Sequence, residues 1–559
     1  MRIPIAWLKE LVALNCSIEE LIALLPLRTV GVKEVTDSYF ELDMKGYNRA
    51  DLLSMRGIAY EVAAITGSKL LFEEPQEAEF AWKQKDLPTT QVEVENPQLA
   101  PFYTVTKITG LKVEKSPQDW VTRLENSGMR SVNNITDITN LVMLEYGQPL
   151  HSFDARAVKD EHILVRTAKK GERITTLDGK TRDLQGLDLL IADPLNTIGV
   201  AGVMGGKDSE VSETTTTILL EAAIFDPVNI RKTVTRLGLP SEASKRFQHG
   251  LTKIRLLQAL NQTIKMYQEL GGQIVSITMV GNFEDKLKKI TLTKKKLDSL
   301  IGVGIKSEEV ETYLTKLGFK LAPHILSSPR SAGGAGGNTV WEVEPPYYRL
   351  DVDIEEDIIE EVARMYGYEK IPAVEVSESE PLQKEDPIFK TIEDLRQKLV
   401  NLGLTEVQTY SFYSTDVLNA LDANKEKLVK VANPISAETA YLRENLWPNL
   451  VEVVGRNLRK GYKDIGIFEI GKAFKIGPDR NPSENYRLAI SLMNGTDNPL
   501  AELYQISQAL ASHSTSGNVV QTELFHPKRQ IGNLAEVHLR VLNKLGIEKR
   551  VAVLEIEID

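Results

Sequence analysis

Two stretches of the chain, 300 residues apart, follow one pattern. Arg49-Ala-Asp51 through Gly67 aligns without gaps onto Arg349-Leu-Asp351 through Gly367. Asp51/Asp351, Ile58/Ile358, Glu61/Glu361, Val62/Val362, Ala63/Ala363 and Gly67/Gly367 are identical. Ser17-Ile-Glu-Glu-Leu is echoed by Ser307-Glu-Glu-Val. Apolar residues at helical spacing, closed by a glycine, describe a capped amphipathic helix. Its recurrence means one structural unit used twice. The repeat partitions the chain: residues 1–75 and 281–375 are predicted to be two related small α/β units, with different structure between and after them. A chain of 559 residues is in any case too long for one core.

Between the copies, the acidic, proline-bearing residues 76–99 read as a connection, and residues 100–280 as a mixed α/β domain. Phe102–Ile108 alternates like a strand. Ser116-Pro-Gln-Asp-Trp120 reads as a serine cap with proline at the first helical position. Asn134–Tyr146 has helical spacing and is stopped by Gly147-Gln-Pro149. Leu177-Asp-Gly-Lys180 signals a hairpin, and Ser241–Leu270 reads as one long helix. In the small units, Trp7–Leu14 is expected to be helical and residues 38–43 a strand, while Gly333–Asn338 is a loop. Residues 376–559 offer a helix at Ile388–Leu402 and strands at Val407–Phe412, Ile465–Phe474 and Tyr486–Met493, an antiparallel sheet with helices. The fold class expected is α+β, multidomain.

Composition narrows the chemistry. One cysteine, Cys16, excludes an intrachain disulfide and a multi-cysteine zinc site. Seven histidines lack a paired metal motif. No signal-peptide core or membrane-spanning run is present, so a reducing cytoplasm is the expected setting. The net charge of −11 argues against a protein that holds nucleic acid by bulk electrostatics. The lysine-rich runs Lys286–Lys296 and Arg456–Lys463 are the local exceptions; each taken alone is best read as a solvated face.

Three groups of residues could carry chemistry. Residues 198–223 contain Gly199, Gly202, Gly205 and Gly206, then a single acid, Glu221, inside an apolar run. Glycines allow close backbone approach, and a carboxylate in such a run must be paired, solvated from a cleft, or used. This stretch reads as the floor and wall of a pocket. It is no phosphate loop: Ala201 stands where the first glycine would be, and Asp208 where the metal-binding hydroxyl would be. Thr139, Asn140 and His151 could line the same cleft. In the second repeat copy, Asp357, Glu360 and Glu361 fall on one helical face with Asp351 just ahead. They form either a solvated acidic face, the simpler reading from spacing alone, or a set of oxygen ligands suited to magnesium.

The motifs resemble those of the phenylalanyl-tRNA synthetase beta-subunit family. Asn134-Ile-Thr-Asp-Ile-Thr-Asn-Leu-Val-Met-Leu-Glu-Tyr-Gly-Gln-Pro-Leu-His-Ser-Phe-Asp154 looks like its bacterial editing module, as do Ala201–Gly206, Ile218–Phe225 and Ser241-Glu-Ala-Ser-Lys-Arg-Phe247. Tyr348-Arg-Leu-Asp351 through Tyr368-Glu-Lys-Ile-Pro372 looks like the later, magnesium-bearing module. The resemblance implies an α2β2 enzyme whose separate alpha chain binds ATP and phenylalanine and charges tRNA(Phe). The beta chain would hydrolyse mischarged Tyr-tRNA(Phe). It implies an editing pocket of Thr139, Asn140, His151, Ala201, Gly202 and Glu221, with Glu221 accepting the tyrosine hydroxyl. It implies a magnesium ion held by Asp351, Asp357, Glu360 and Glu361 near the alpha chain.

Residues 376–559 resemble a degenerate class II catalytic domain. Tyr441-Leu-Arg443-Glu is reminiscent of a motif with a catalytic arginine, and Phe525–Arg540 does not supply the final one, so this part is expected to be an inert interface. Three departures stand out. Residues 31–45 leave no room for the family's inserted oligonucleotide-binding barrel. The chain stops at Asp559, before a C-terminal ferredoxin-like anticodon-binding domain. Arg246-Phe-Gln-His-Gly-Leu-Thr252 replaces the more usual Arg-Phe-Glu-Arg-Gly-Val-Asp. That third departure keeps a rival open, a structural partner whose editing has decayed; a free-standing hydrolase is the other.

Overall fold

Helix α1 (Met55–Thr66) is defined at both ends by side chains that the sequence places there. The Ser54 hydroxyl accepts from the Gly57 amide, and Gly67 closes the helix in the left-handed region at φ 70°. Ile58 and Val62, one turn apart, are buried in the first core with Trp7, Leu8, Phe40 and Leu42. Strands Arg2–Pro4, Tyr39–Leu42 and Val32–Val35 form an antiparallel sheet in that order. The last two make a short hairpin, so no barrel is inserted there. Ser17 and Glu20 close a reciprocal capping box. The first helix is Ile5–Leu11 rather than Trp7–Leu14, because Val12–Ala13 leaves it to pair with Lys69–Leu70. The computed structural model describes every residue except 77–79, 81, 83–86, 286–287, 323–338, 376–385, 496–497, 513–531 and 559. The described residues divide into Met1–Glu375 and Val376–Asp559.

In chain order the central strands are β1 (Val92–Val94), β2 (Phe102–Thr109), β3 (Leu150–Asp154), β4 (Ile163–Thr167), β5 (Leu189–Ala192), β6 (Thr197–Val200), β7 (Met204–Gly205), β8 (Thr217–Ile224) and β9 (Gln273–Val280). They make an antiparallel sheet, β9-β2-β8-β3, and a second sheet, β7-β6-β5-β4-β1. Residues alternate between the two faces of a strand. Ser152 therefore marks one face of the first sheet: its hydroxyl meets the Tyr267 hydroxyl at 2.9 Å, which in turn donates to the Ile135 carbonyl. Those partners lie on α2 (Asn134–Tyr146) and, beyond α3 (Pro227–Leu237) and α4 (Glu242–Phe247), on α5 (Lys253–Glu269). His151 points to the opposite face, where Gly205 of β7 touches its ring. One apolar core joins both sheets and the helices.

Two expectations change here. Ser116 does not cap the following helix, Gln118–Asn126; its hydroxyl donates to Asp137 instead, at 2.6 Å. The predicted helix over 241–270 is two helices. Gly250, at φ 86°, turns the chain between them, and Thr252 caps the second through the Arg255 amide.

The second repeat copy contains an antiparallel sheet of Ile290–Thr293, Val340–Glu344 and Lys320–Ala322. Its helix α6 (Glu355–Tyr366) occupies the same frame as α1, again ended at glycine. The copies touch directly: Ala64 of α1 is buried in the core formed by Ile358, Ile359 and Val362 of α6. The lysine-rich run is an ion-paired surface. Lys288, Lys289, Lys294 and Lys296 meet Asp353, Glu342, Asp298 and the Glu355/Glu356 pair respectively. The loop expected at Gly333–Asn338 lies outside the described residues.

Residues 376–559 form a five-stranded sheet ordered Thr405–Glu406, Ile465–Ile476, Pro482–Met493, Ala552–Ile558 and Gly532–Glu536. Only its first pair is parallel. Helices Pro387–Asn401, Trp447–Arg459 and Pro499–Ser512 accompany it. The strand expected at Val407–Phe412 does not form. The Thr409 amide and hydroxyl turn to the Glu469 carboxylate instead of a ladder. The same Glu469 receives Arg443, the arginine reminiscent of a catalytic one, at 2.8 Å, and Arg443 also donates to the Thr409 hydroxyl and the Lys472 carbonyl.

Candidate active site

Strand β8 carries Thr-Ile-Leu-Leu-Glu-Ala-Ala-Ile, apolar on both faces because one faces helices and the other a second sheet. Pairing places Glu221 directly opposite Val105 on β2 and His151 on β3, so Glu221 and His151 are cross-strand neighbours on one face. Glu221 is only 8 % exposed. Burial raises its pKa to about 7, opposed by a hydrogen bond from the Tyr103 hydroxyl to Oε2 at 2.8 Å. Burial also lowers His151 to about 4, which keeps the imidazole neutral. Its Nε2 is buried and has no hydrogen-bond partner among the described residues. The ring stands edge-on to Phe153, with centroids 4.5 Å apart.

The glycine turn lies against the histidine through Gly205. Val200 to Val203 close a turn through a 3.0 Å backbone bond, with Gly202 at its third position and φ 65°. That is the geometry that calls for glycine in a type II turn. A Cβ on Gly202 would meet Ile230, Phe225 and Phe247 at 2.9–3.0 Å. Gly202 therefore serves the turn and its apolar backing. Ala201 is buried and donates its amide to the Leu189 carbonyl at 3.0 Å. The glycine against the histidine is Gly205, where a Cβ would lie 2.8 Å from His151 Cε1 and Nε2.

Thr139 and Asn140 come from α2, which lies against β3. Thr139 is buried, and its hydroxyl donates to the Thr136 carbonyl at 2.7 Å. No hydrogen bond joins either residue to His151 or Glu221 among the described residues. The structure thus unites Glu221, His151 and the turn ending at Gly205, while α2 packs on the sheet's other face, that of Ser152.

Sequence reasoning passed over Tyr103 and set Gly205 among four glycines without a role. Tyr103 is fully buried and pairs with Ala223, one step along the same face from Glu221. A signal existed: it is the single hydroxyphenyl group in the Phe102–Ile108 alternation. What was missing was the register that aims it at Glu221.

The four acids of the second copy are not gathered into one cage. Arg349 holds Asp351 at 2.9 and 2.7 Å and Glu361 at 2.5 and 2.9 Å. Arg364 adds bonds to Glu361 at 2.9 and 2.5 Å and also pairs with Glu61 of the first copy. Burial alone would raise the Glu361 pKa; Arg349 and Arg364 outweigh it and hold the carboxyl well below the ordinary range. Asp357 accepts the amides of Asp353 and Ile354 at 2.7 and 2.9 Å, capping α6. Glu360 is exposed. No three His, Cys, Asp or Glu residues converge as a metal site among the described residues. The residues of this chain alone do not fit a magnesium cage.

The B3/4 domain model matches residues 99–272, the tRNA synthetase B5 domain residues 290–368, and the phenylalanyl-tRNA synthetase beta chain CLM domain residues 371–558. The phenylalanine–tRNA ligase beta subunit of Syntrophus aciditrophicus (strain SB) is 33% identical over 564 residues, covering 94% of this chain and 68% of that one. The chain belongs to the phenylalanine–tRNA ligase beta-subunit family.

The same subunit of Staphylococcus haemolyticus (strain JCSC1435) is 37% identical over 451 residues, 79% of this chain and 53% of its own length. The chain thus spans between about half and two thirds of these relatives. A solved N-terminal fragment of the beta subunit from Pyrococcus horikoshii overlays 66% of this chain and 99% of its own at 17% identity and a TM-score of 0.37, too low to add to the assignment. Within the family frame, Tyr103, His151, Gly205 and Glu221 all fall in the B3/4 match, and the four acids in the B5 match. The family's name implies an alpha partner. No described helix is long and apolar enough to cross a membrane.

Proposed function

We propose that the β8 site hydrolyses Tyr-tRNA(Phe), and that the chain works as the beta subunit of a cytoplasmic α2β2 phenylalanine–tRNA ligase whose alpha chain binds ATP and phenylalanine. The observation that carries the reading is Glu221: a buried carboxylate at the centre of a strand, with one oxygen held by Tyr103. Tyrosine differs from phenylalanine by one hydroxyl, and a synthetic site that tolerates phenylalanine rejects tyrosine imperfectly. A second site can bind that hydroxyl. A hydrogen bond from the substrate phenol to the carboxylate contributes about 1.5–3 kcal/mol, or roughly 10–150-fold in selection.

Hydrolysis of the ester requires water at the aminoacyl carbonyl and protonation of the departing ribose oxygen. Neutral His151 offers the unpartnered Nε2 to that water or to the ester. With a pKa near 4 it is a weak base, so its part is to orient rather than to abstract. Gly205 gives the ring its place. Ala201 and Gly202 shape the adjoining turn, and no covalent nucleophile is called for; Thr139 and Asn140, on α2, would reach the ester only around the sheet edge at β3.

The altered 246–252 segment does not favour the decayed-site reading. Arg246 is buried and donates to the Leu53 carbonyl at 3.0 Å, and Phe247 backs Gly202. His249 bonds to the Lys245 carbonyl. Residues 376–559 act as an interface, consistent with Arg443 being consumed by Glu469. Magnesium enters only as a shared ion. Asp357 and Glu360, the carboxylates not held by arginine, would supply oxygens from this chain, and the partner or water the rest.

The test uses the complex with its alpha chain. Tyr-tRNA(Phe) is expected to be deacylated, and Glu221→Ala to lose both rate and preference for tyrosine over phenylalanine. Deacylation unaffected by that change would refute the assignment.

A further inference from the structure

We infer that Tyr103 is the positioning residue of this site: its phenol fixes one oxygen of Glu221 and leaves the other as the acceptor shown to a substrate hydroxyl. The inference rests on the editing reading above. Strand register sets it up. Tyr103 pairs with Ala223, and Glu221 with Val105, so Tyr103 reaches diagonally along one face to the carboxylate. The small Ala223 side chain opposite Tyr103 leaves lateral room, and Phe225 lies at 6.3 Å from the ring. The hydroxyl donates to Oε2 at 2.8 Å, while no protein donor to Oε1 occurs among the described residues. Burial, and then Glu221 itself, push the Tyr103 phenol well above its ordinary pKa, so it stays a donor across the working range.

A phenylalanine ring in the pocket leaves only one carboxylate oxygen unsatisfied, because Tyr103 serves the other whatever enters. Discrimination therefore comes from a single acceptor of fixed direction. The bond also favours the ionised carboxylate against burial. Among the described residues, the titratable groups facing Glu221 are Tyr103 from β2 and His151 from β3; β7 presents Gly205, with none. Without the phenol, neutral His151 supplies no compensating charge, and Glu221 protonates at higher pH. A protonated carboxyl ceases to be an obligate acceptor.

The experiment compares Tyr103→Phe with wild type in the complex with alpha, following Tyr-tRNA(Phe) and Phe-tRNA(Phe) deacylation across pH. The expected result is a loss of about 10-fold or more in kcat/KM for Tyr-tRNA(Phe) near neutrality. Part should be recovered at alkaline pH, with the acidic limb displaced upward. As a readout independent of activity, the protonated-carboxyl infrared band lost in Glu221→Gln should persist to higher pH in Tyr103→Phe. An unmoved pH limb and an unmoved band would overturn the inference. Glu221→Ala run in parallel separates the two levels. If it abolishes deacylation while Tyr103→Phe matches wild type, Tyr103 has no positioning role and the editing reading stands. If Glu221→Ala changes nothing, the editing reading itself falls.

Discussion

Glu221 is costly where it stands, and that cost is measurable apart from function. Its folded pKa, near 7, lies above the ordinary value of about 4.3. A raised carboxyl pKa means the fold favours the protonated form. Its contribution is fully present in acid and is lost as pH rises through about 7. Glu221→Gln keeps an acceptor for Tyr103 but cannot ionise. It is therefore expected to be more stable than wild type above pH 8, by about 2–4 kcal/mol, with the difference vanishing towards pH 5. Denaturant midpoints of the two proteins at both pH values check this. A site that gains stability when its acid is neutralised is under functional rather than structural demand. The acid itself was legible in the sequence, because one carboxylate in Ile-Leu-Leu-Glu-Ala-Ala-Ile stands out against any strand pattern. Its partner was not, since register is a long-range property and Tyr103 is 118 residues away.

At the scale of elements, the repeat does more than duplicate a helix. Arg49, Asp51 and Glu61 form in the first copy what Arg349, Asp351 and Glu361 form in the second. Arg364 joins the two by pairing with Glu61 and Glu361 together. Burial would raise both glutamates, but the surrounding arginines hold them below the ordinary range. Depressed carboxyl pKa values contribute stability above about pH 4.3 that is lost as pH falls below it. Removing one member strands buried charge: Glu361→Gln is expected to cost about 3–5 kcal/mol near neutral pH. That cost should shrink in acid, as read from denaturant midpoints at pH 7 and pH 3. The sequence showed the repeat because identical positions survive translation along the chain. It could not show that the acids shared by the two copies meet through Arg364, and Glu361 therefore looked available to a metal. Helix boundaries failed for local reasons: Ser116 had a better acceptor in Asp137, and Gly250 broke a helix that periodicity alone would have continued.

For the whole molecule, the proposed hydrolysis belongs to the central domain and the proposed assembly to the rest. If a magnesium ion is shared with the alpha chain, Asp357→Ala combined with Glu360→Ala should lower metal content and complex yield. Glu361→Ala would disturb the fold itself and report on neither. Metal analysis and sizing of the co-purified complex decide this, and unchanged metal and assembly would remove the shared ion from the account. The deacylation rate of Tyr-tRNA(Phe), set against that of Phe-tRNA(Phe), by the complex carrying wild-type or Glu221→Ala beta chain decides whether the β8 site edits. Hydrolysis is expected to favour the tyrosyl ester and to be lost with Glu221. Equal rates for the two esters, or a rate indifferent to that substitution, would contradict the editing reading.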